Sequence, residues 1–476
     1  MPAKKVCEEW SFQAYRQNHA TRLEEQLNEP VYAVASHGRK SSTAYRKQNP
    51  SPPATASKKR ESRLGLPEFK WTMTMLGLCI YSFAIITFKF PVAQVGIAVG
   101  VAGLFSGKDS VRTPTAFWLY FSFLLWAFLT SFISPFSDVA IGVATERFKL
   151  IIILLIALNA LRTEGQLRFY LVFILVCYIL FPVRGTIVGG NSISGGRVVW
   201  NFVYSNPNDL AALSLLALGV ALGLTFSETS WTYVRIGSVI GALLLLVVIL
   251  RTQSRGAFLG VLVALGPAFV PILLKQIKVA IGAVVVVSLV VTFAIPQSTW
   301  DRLSGLQKLT STDAVESMHT AEGVSESDSS SAERFEILKV GWQIFMDNPA
   351  CGIGLGAYPL ANNMYSPVLG KRDTHNTYVN LGAETGLPGL LIWCSFVGSV
   401  LTAAYRRPKR SVEMTQLITQ TYWIRRTIIG YLVAGIFGSF SALNFIYIML
   451  SVLWCSEALL SAAPLNSINR SGLRRA

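Results

Sequence analysis

Long apolar segments alternate with shorter polar connections over most of this chain. The apolar segments run for about 16 to 22 residues with almost no charge, which is the length that a helix needs to cross about 30 Å of hydrocarbon. Helices are expected because lipid offers the backbone no hydrogen-bond partner, and the weak alternation of a membrane β-barrel is not seen. The pattern therefore predicts an all-α polytopic membrane protein with about twelve transmembrane helices. We place them at 72–88, 91–106, 115–134, 147–161, 166–183, 208–226, 231–250, 257–274, 277–295, 386–405, 427–442 and 444–462.

The second and fourth of these spans are short, so a count of about ten or eleven stays open. Composition supports the membrane class. Hydrophobic residues fill 52% of the 476 positions and charged residues only 14%, whereas soluble domains carry about a quarter charged residues.

Lysine and arginine in the short loops predict the orientation. If the N-terminus is cytoplasmic, most of these residues lie inside, including the cluster from Arg406 to Arg410, and fewer lie outside, among them Arg147. We therefore expect a membrane protein with both termini in the cytoplasm. The net charge of +16 is then mainly a topology signal, with attraction to anionic membrane lipids as a consequence. Nucleic acid is not an expected partner.

One outer connection is much longer than the others, and a loop of this length between membrane helices is usually functional. Within it, Phe335, Leu338, Trp342 and Phe345 recur at helical spacing. The spacing predicts an amphipathic helix on the membrane surface. The predicted organisation is a basic cytoplasmic tail at 1–70, spans one to nine at 71–295, a large periplasmic loop at 296–385, spans ten to twelve at 386–462 and a cytoplasmic tail at 463–476.

His375 is one of only four histidines, and it lies where the long polar loop meets the next apolar segment. Asp373 could cap a helix that begins there. A histidine in the first helical turn would be held neutral by the positive end of the helix dipole, and a neutral imidazole can accept a proton. The alternative is a histidine at the membrane interface or at a helix cap that takes no part in chemistry.

Asn376, Asn380 and Glu384 follow His375 along one stripe of the predicted helix. Hydrogen bonding between helices explains such a stripe at least as well as substrate contact does. Glu384 follows His375 by nine residues, which places it about half a turn round a regular helix, on the opposite side. It is therefore a poor partner for the histidine unless the helix breaks near Gly382.

Arginines gather on the predicted outer face, where membrane topology would normally deplete them. Arg255 follows a short polar turn, Arg334 opens the amphipathic helix and Arg197 follows two glycines. Guanidinium groups suit phosphate because they offer paired donors in a fixed fork. Phosphate binding has an alternative for two of these arginines. Arg251, four residues before Arg255, could extend to the lipid headgroups, and Arg334 could be a solvated surface charge.

Two other motifs have structural explanations. Asn206-Pro207 is typical of a helix cap followed by proline at the first helical position. The turn from Gly352 to Gly356 has the glycine density of a phosphate loop, but no Lys-Ser/Thr follows it. We therefore reject nucleotide binding.

The order of these motifs resembles the bacterial O-antigen ligase and O-antigen polymerase superfamily. The matching elements are Ser254-Arg255-Gly256, Arg334 at a helix start, Asn348-Pro349 before Gly352-x-Gly354-x-Gly356, His375-Asn376-x-Tyr378, and Glu384-x-Gly386-x-x-Gly389. The resemblance covers roughly 70–460, with its specific part at about 197–390. It implies a fold like that of the type C glycosyltransferases, with short helices in the periplasmic loop.

The same resemblance implies metal-independent glycosyl transfer at the periplasmic face, without a cofactor. The donor would be a glycan on undecaprenyl diphosphate. His375 matches the family's proposed general base, and Arg255 and Arg334 match residues that hold the diphosphate. Arg197 is a further diphosphate candidate on charge alone. Asn376, Tyr378 and Glu384 are assigned supporting roles.

The acceptor stays open, because ligases and polymerases share these elements. A lipid core, a growing glycan, or the hydroxyl of a protein acceptor, as in an O-oligosaccharyltransferase, would all fit. A transporter of polysaccharide or lipid-linked glycan is the alternative from another class. It predicts internal repeats and charged or interrupted helices near the midplane of the bilayer, and neither is evident in the sequence.

Overall fold

The computed structural model describes residues 71–87, 92–107, 110–189, 196–200, 204, 206–227, 232–275, 281, 326–403 and 415–462. Within them every regular element is a helix, apart from an isolated antiparallel bridge between Trp200 and Tyr204. The predicted all-α class is therefore confirmed for this part of the chain. The helices are α1 (Met73–Thr87), α2 (Val92–Ser106), α3 (Thr115–Ser131), α4 (Ser137–Ala160), α5 (Glu164–Ile187), α6 (Pro207–Phe226), α7 (Thr232–Arg251), α8 (Arg255–Lys275), α9 (Glu326–Asp347), α10 (Tyr358–Tyr365), α11 (Thr377–Ala403), α12 (Thr415–Ala434) and α13 (Asn444–Ser461).

Among the described residues, the 5 helices α5, α6, α7, α11 and α13 are long and apolar enough to cross a membrane. Four shorter apolar helices are α1, α2, α3 and the first part of α8. The count of twelve spans stays a prediction. The two predicted tails, most of the predicted span at 277–295 and the loop from 296 to 325 lie outside the described residues.

Several helix boundaries differ from those predicted. α4 begins at Ser137 rather than near 147. Its first turns carry Asp138 and Arg147, so they were not recognised as part of an apolar segment. α11 begins at Thr377, within the segment predicted as loop. The predicted bounds of the span at 427–442 are wrong, because the helix there, α12, begins at Thr415. α12 ends at Ala434, and a 3-10 turn over Gly435–Phe437 then leads into non-helical chain up to Leu443.

Glycines bring α1 and α2 into backbone contact. A Cβ atom added at Gly77 would lie 2.3 Å from the Gly100 nitrogen, and one at Gly103 would lie 2.2 Å from the Thr74 nitrogen. Close approach of this kind is how helices with few polar groups pack in a membrane, since the gain comes from van der Waals contact. The contact explains how two short apolar helices form a stable hairpin.

Helix α6 lies at the centre of the bundle and is buried along nearly its whole length. It packs on α12, where a Cβ added at Gly219 would meet the Thr427 hydroxyl at 1.9 Å. α12 in turn contacts α8 through Gly260 and Gly430, whose backbones meet directly. The start of α6, the start of α8 and the end of α12 therefore come together at one end of the bundle.

Helix α9 confirms the predicted helix in the long connection, but its packing face differs from the one named from the sequence. Its buried side chains are Ile337 and Ile344, which form a small core with Ile353, Tyr358 and neighbouring residues. Phe335 and Trp342 are more than half exposed. The buried face includes Gly341, where an added Cβ atom would lie 3.0 Å from the Tyr358 hydroxyl oxygen. The location of α9 on a membrane surface stays a prediction.

The turn of three glycines after α9 is packed between α4 and α11. Gly352, Gly354 and Gly356 all have positive φ, at 66°, 99° and 79°. The nitrogens of Ile353 and Gly354 donate to the carbonyls of Ala383 and Glu384, both at 2.9 Å. On the other side, the Ser134 hydroxyl donates to the Ile353 carbonyl. The glycines are thus required by backbone conformation and close packing.

We expect Gly354→Ala to destabilise the protein by about 2 to 4 kcal/mol, because it combines backbone strain with overpacking. The added Cβ would lie 2.6 Å from both the Ala140 Cβ and the Ser134 Oγ. The measurement is thermal unfolding of the purified protein in detergent. Gly370→Ala is the matched control, since its φ is 68° and nothing lies within 4 Å of its Cβ position. Equal losses in the two variants would contradict the packing argument.

Candidate active site

His375 lies in a short non-helical segment immediately before α11. Its φ is 51°, in the left-handed region that few residues other than glycine adopt. The helix cap is Asn376, whose side-chain oxygen accepts from the nitrogens of Tyr378 (2.9 Å) and Val379 (3.0 Å). The prediction that Asp373 caps a helix containing His375 is therefore wrong. Asp373 Oδ1 instead accepts from the Thr374 nitrogen at 2.9 Å.

The Thr374 hydroxyl fixes the segment that carries His375. It is buried and lies within hydrogen-bond distance of the Asn376 carbonyl (3.0 Å), Asn380 Oδ1 (3.2 Å) and Ser439 Oγ (2.9 Å). These contacts join the residues on both sides of the histidine to α11 and to the chain after α12. Asn380, which was part of the predicted polar stripe, is thus occupied in holding this segment.

Thr377 makes a second attachment to the chain after α12. Its hydroxyl donates to the Gly438 carbonyl at 2.6 Å and accepts from the Phe440 nitrogen at 2.9 Å. Nearby, the Tyr378 hydroxyl donates to the Leu432 carbonyl at 2.8 Å. The break between α12 and α13 therefore provides the backbone groups that lock the start of α11.

Three arginines act on the His375 imidazole. Burial and the nearby positive charges of Arg334, Arg372 and Arg197 together lower its pKa from 6.5 to about 4, with burial as the larger cause. Both causes disfavour the imidazolium form, the first through lost hydration and the second through repulsion. His375 is therefore a neutral imidazole at physiological pH. The helix dipole is not needed to explain this state.

Arg372 was not identified from the sequence. Its guanidinium pairs with Glu333 at 3.2 Å, and both side chains are largely solvent-exposed. An exposed pair of this kind adds little stability. Its effect is positional, because it joins the segment before His375 to Glu333 inside α9, next to Arg334. The prediction that Arg334 opens this helix is wrong, since α9 begins at Glu326.

Arg197 is held by two segments that were far from it in the sequence. Its Nε donates to the Thr252 carbonyl and its Nη2 to Asn208 Oδ1, both at 2.9 Å. Asn206 caps α6 by accepting from the Asn208 nitrogen, with proline at the first helical position, as predicted. Arg197 thus lies where the start of α6 meets the turn between α7 and α8.

Arg255 is the first residue of α8 and is half-buried. It is not among the arginines that lower the pKa of His375. Its neighbour Gly256 packs on Phe437 and Ala434, in the same turn that approaches Thr377 through Gly435. The structure therefore places Arg255 at the junction that anchors the histidine segment, with the turn over Gly435–Phe437 between them.

Glu384 faces the glycine turn and not the histidine. It is buried, and its Oε1 accepts from the Tyr358 nitrogen at 3.3 Å, while the Gly356 nitrogen also donates to its carboxylate. α11 continues past Gly382 and is kinked at Gly386, whose φ is 69° and ψ −179°. Because the break comes after Glu384, this carboxylate stays turned towards α10.

A family model described as O-antigen ligase (Wzy_C) matches residues 240–394. These residues are similar to the O-antigen ligase family. The match confirms the resemblance to the O-antigen ligase superfamily and indicates a multi-pass membrane enzyme of the glycosyltransferase type. No curated protein matches the chain significantly.

The matched region contains Arg255, Arg334, Arg372 and His375, whereas Arg197 precedes it. It also contains the glycine turn and the kinked start of α11. Arg197 is joined to the matched region by its hydrogen bond to the Thr252 carbonyl. The candidate site is therefore assembled mainly, but not wholly, from the matched region.

Proposed function

We propose that this protein transfers a glycan from undecaprenyl diphosphate to an acceptor hydroxyl at the periplasmic face of the bacterial inner membrane. The acceptor belongs to a lipid core, as in an O-antigen ligase, or to a growing glycan, as in a polymerase. The observation that carries the proposal is a half-buried neutral histidine among three arginines, at one end of a bundle of apolar helices.

His375 acts as the general base in this proposal. A sugar hydroxyl is a weak nucleophile, so a group that accepts its proton as the bond forms lowers the barrier. The imidazole is neutral before the donor binds, and therefore free to accept that proton. The contacts of Thr374 and Thr377 hold the ring's backbone in place on both sides.

Arg334, Arg197 and Arg255 bind the diphosphate, and Arg372 joins them. Negative charge builds on the diphosphate as the glycosidic bond breaks, and fixed guanidinium groups stabilise that charge. Bound diphosphate would in turn offset the positive charges around His375 and raise the pKa of the imidazole. The donor thereby makes the histidine a stronger base at the moment when it is needed.

The proposed transfer inverts the anomeric centre. The acceptor oxygen attacks the anomeric carbon from the side opposite to the diphosphate, and the bond to the diphosphate oxygen breaks. The hydroxyl proton passes to His375, and the electron pair leaves with undecaprenyl diphosphate. One glycosidic bond is formed for each one broken, and no cofactor enters the balance.

The test is a transfer assay with the purified full-length protein in nanodiscs and a labelled glycan on undecaprenyl diphosphate. We expect release of undecaprenyl diphosphate in a one-to-one ratio with new glycosidic bonds, in the presence of a chelator as well as without one. A product that grows in length indicates a polymerase, and a single transfer to a lipid core indicates a ligase. Transfer to a protein hydroxyl would indicate an O-oligosaccharyltransferase. Movement of intact donor across the membrane without bond cleavage would contradict the proposal.

The low pKa of His375 predicts an unusual pH dependence. A general base must be deprotonated, so kcat/KM for the donor falls as pH drops through the pKa of the free enzyme. That pKa is about 4, so kcat/KM should stay level across the range in which an ordinary histidine titrates, near pH 6.5. The pH profile of kcat reports the enzyme with donor bound, in which the diphosphate raises the pKa of His375. The acid limb of kcat should therefore lie at higher pH than that of kcat/KM. An acid limb of kcat/KM near pH 6.5 would contradict the assigned environment.

A further inference from the structure

A cavity of about 220 Å³ lies beside the segment that carries His375. Asp373 and Asn380, which flank His375 in the chain, both line it. None of Arg197, Arg334 and Arg372 does. Its walls come from α3, α4, α11, the glycine turn and the chain between α12 and α13.

The lining combines polar groups with aromatic rings. Asp373 and Glu384 supply carboxylates, Arg147 a guanidinium, and Ser441 a hydroxyl, while the rings of Tyr120 and Tyr447 form part of the wall. Tyr120 and Tyr447 lie 4.8 Å apart, centroid to centroid. Asp373 is solvent-exposed and Glu384 is buried, so the cavity runs inward from the histidine segment.

We propose that this cavity binds one neutral pyranose ring of the acceptor glycan. Sugar hydroxyls donate to carboxylates and accept from a guanidinium, and the C–H face of a pyranose packs on aromatic rings. With two carboxyl groups and only one arginine in its lining, the cavity offers little positive charge to an anionic ligand. A volume of about 220 Å³ is below the range of about 300 to 1,000 Å³ for drug-sized ligands, which suits a single ring.

We assign the cavity to the acceptor rather than to the donor. The diphosphate of the donor requires Arg197, Arg334 and Arg372, and none of these arginines lines the cavity. This assignment rests on the proposed function. With diphosphate held at Arg334, Arg372 and Arg197, the nucleophile must approach from the opposite side and pass its proton to His375. A sugar bound next to Asp373 and Asn380 lies beside the segment that carries His375 and away from the three arginines, none of which lines the cavity.

Arg147 is the specificity residue for this sugar. Its Nη1 donates to the Ala442 carbonyl at 2.6 Å, which fixes the guanidinium at the cavity wall between α4 and the start of α13. The topology prediction placed Arg147 in a short outer loop, but the structure places it in α4, facing the cavity. An arginine anchored through one nitrogen can still present other N–H groups to a ligand.

The test begins with binding and needs no donor. Saturation-transfer NMR would be recorded on full-length protein in nanodiscs with methyl glucoside, methyl galactoside, methyl mannoside and methyl glucuronide. We expect at least one neutral glycoside to bind, and the anionic glucuronide not to bind. Ala442→Phe, which fills the cavity from its wall, should abolish binding, and Ala442→Ser should retain it. Unchanged affinity for undecaprenyl diphosphate would show that Ala442→Phe is folded.

The second readout is kinetic. Arg147→Gln should raise the KM for the acceptor about tenfold, the effect of losing a hydrogen bond to a charged group, with the donor KM unchanged. Arg147→Lys should show a smaller rise. A rise in donor KM instead, or neutral glycosides that bind wild type and Ala442→Phe equally, would overturn the proposal, as would no binding to wild type. Glycoside binding without any transfer from polyprenyl diphosphate would overturn the proposed function and the acceptor assignment, but not the sugar site.

Discussion

Replacing His375 with asparagine is expected to lower kcat for glycan transfer by about 10²- to 10⁴-fold, the usual contribution of a positioned general base. Asparagine is the informative substitution because His375 has a φ of 51°, and asparagine tolerates this left-handed conformation better than most residues do. The variant therefore removes the proton acceptor with little strain on the backbone.

The measurement is single-turnover transfer with saturating donor and acceptor, which separates chemistry from binding. Donor affinity should change little, since the arginines stay in place. Asn376→Ala serves as a structural comparison, because it removes the cap of α11 and should cost about 1 kcal/mol of stability. A His375→Asn variant that transfers at the wild-type rate would exclude the histidine as base.

Replacing Arg334 with glutamine is expected to lower kcat by about 10²- to 10³-fold, as the loss of one fixed group that stabilises developing negative charge does. The side chain is half-buried, and its charge acts on His375. Arg334→Lys should restore part of the rate, because it keeps the charge but not the paired donors. Affinity for undecaprenyl diphosphate should be highest in the wild type, lower in Arg334→Lys and lowest in Arg334→Gln.

Lys339→Gln is the matched control for Arg334→Gln. It removes one positive charge from the same helix, but Lys339 is exposed and pairs with Glu336 at 2.7 Å, away from the site. The control should transfer at the wild-type rate. Equal losses in Arg334→Gln and Lys339→Gln would show that general surface charge matters rather than a diphosphate site.

Much of the helical framework could be predicted from the apolar segments, and the reason is physical. Residues in lipid must form helices, so an uninterrupted apolar run such as that of α6 or α7 nearly determines its own structure. Helix ends that carry polar residues were harder to predict. α4 and α11 both begin well before their apolar segments, because their first turns pack on the glycine turn through Ala140, Val143 and Glu384.

The break after α12 was missed because most of its residues are apolar, as in a membrane span. The signal that could have revealed it is the group of Gly435, Gly438 and Ser439. This break is the segment that holds Thr374 and Thr377. The residue types of the site could be predicted, since an isolated histidine and several arginines at a membrane boundary point to an anionic substrate. Which arginines act on His375 could not be predicted, because Arg372 and Arg197 reach it only through the folding of distant segments.

Direct titration of His375 tests the central claim, that a neutral histidine lies in an arginine-lined diphosphate site. Protein with ¹³C-labelled histidine would be followed by NMR against pH, with the His375 signal assigned from its loss in His375→Asn. The account predicts a pKa near 4 in the free protein, and a clear rise when undecaprenyl diphosphate is added. A free pKa near 6.5, or one that diphosphate leaves unchanged, would contradict it.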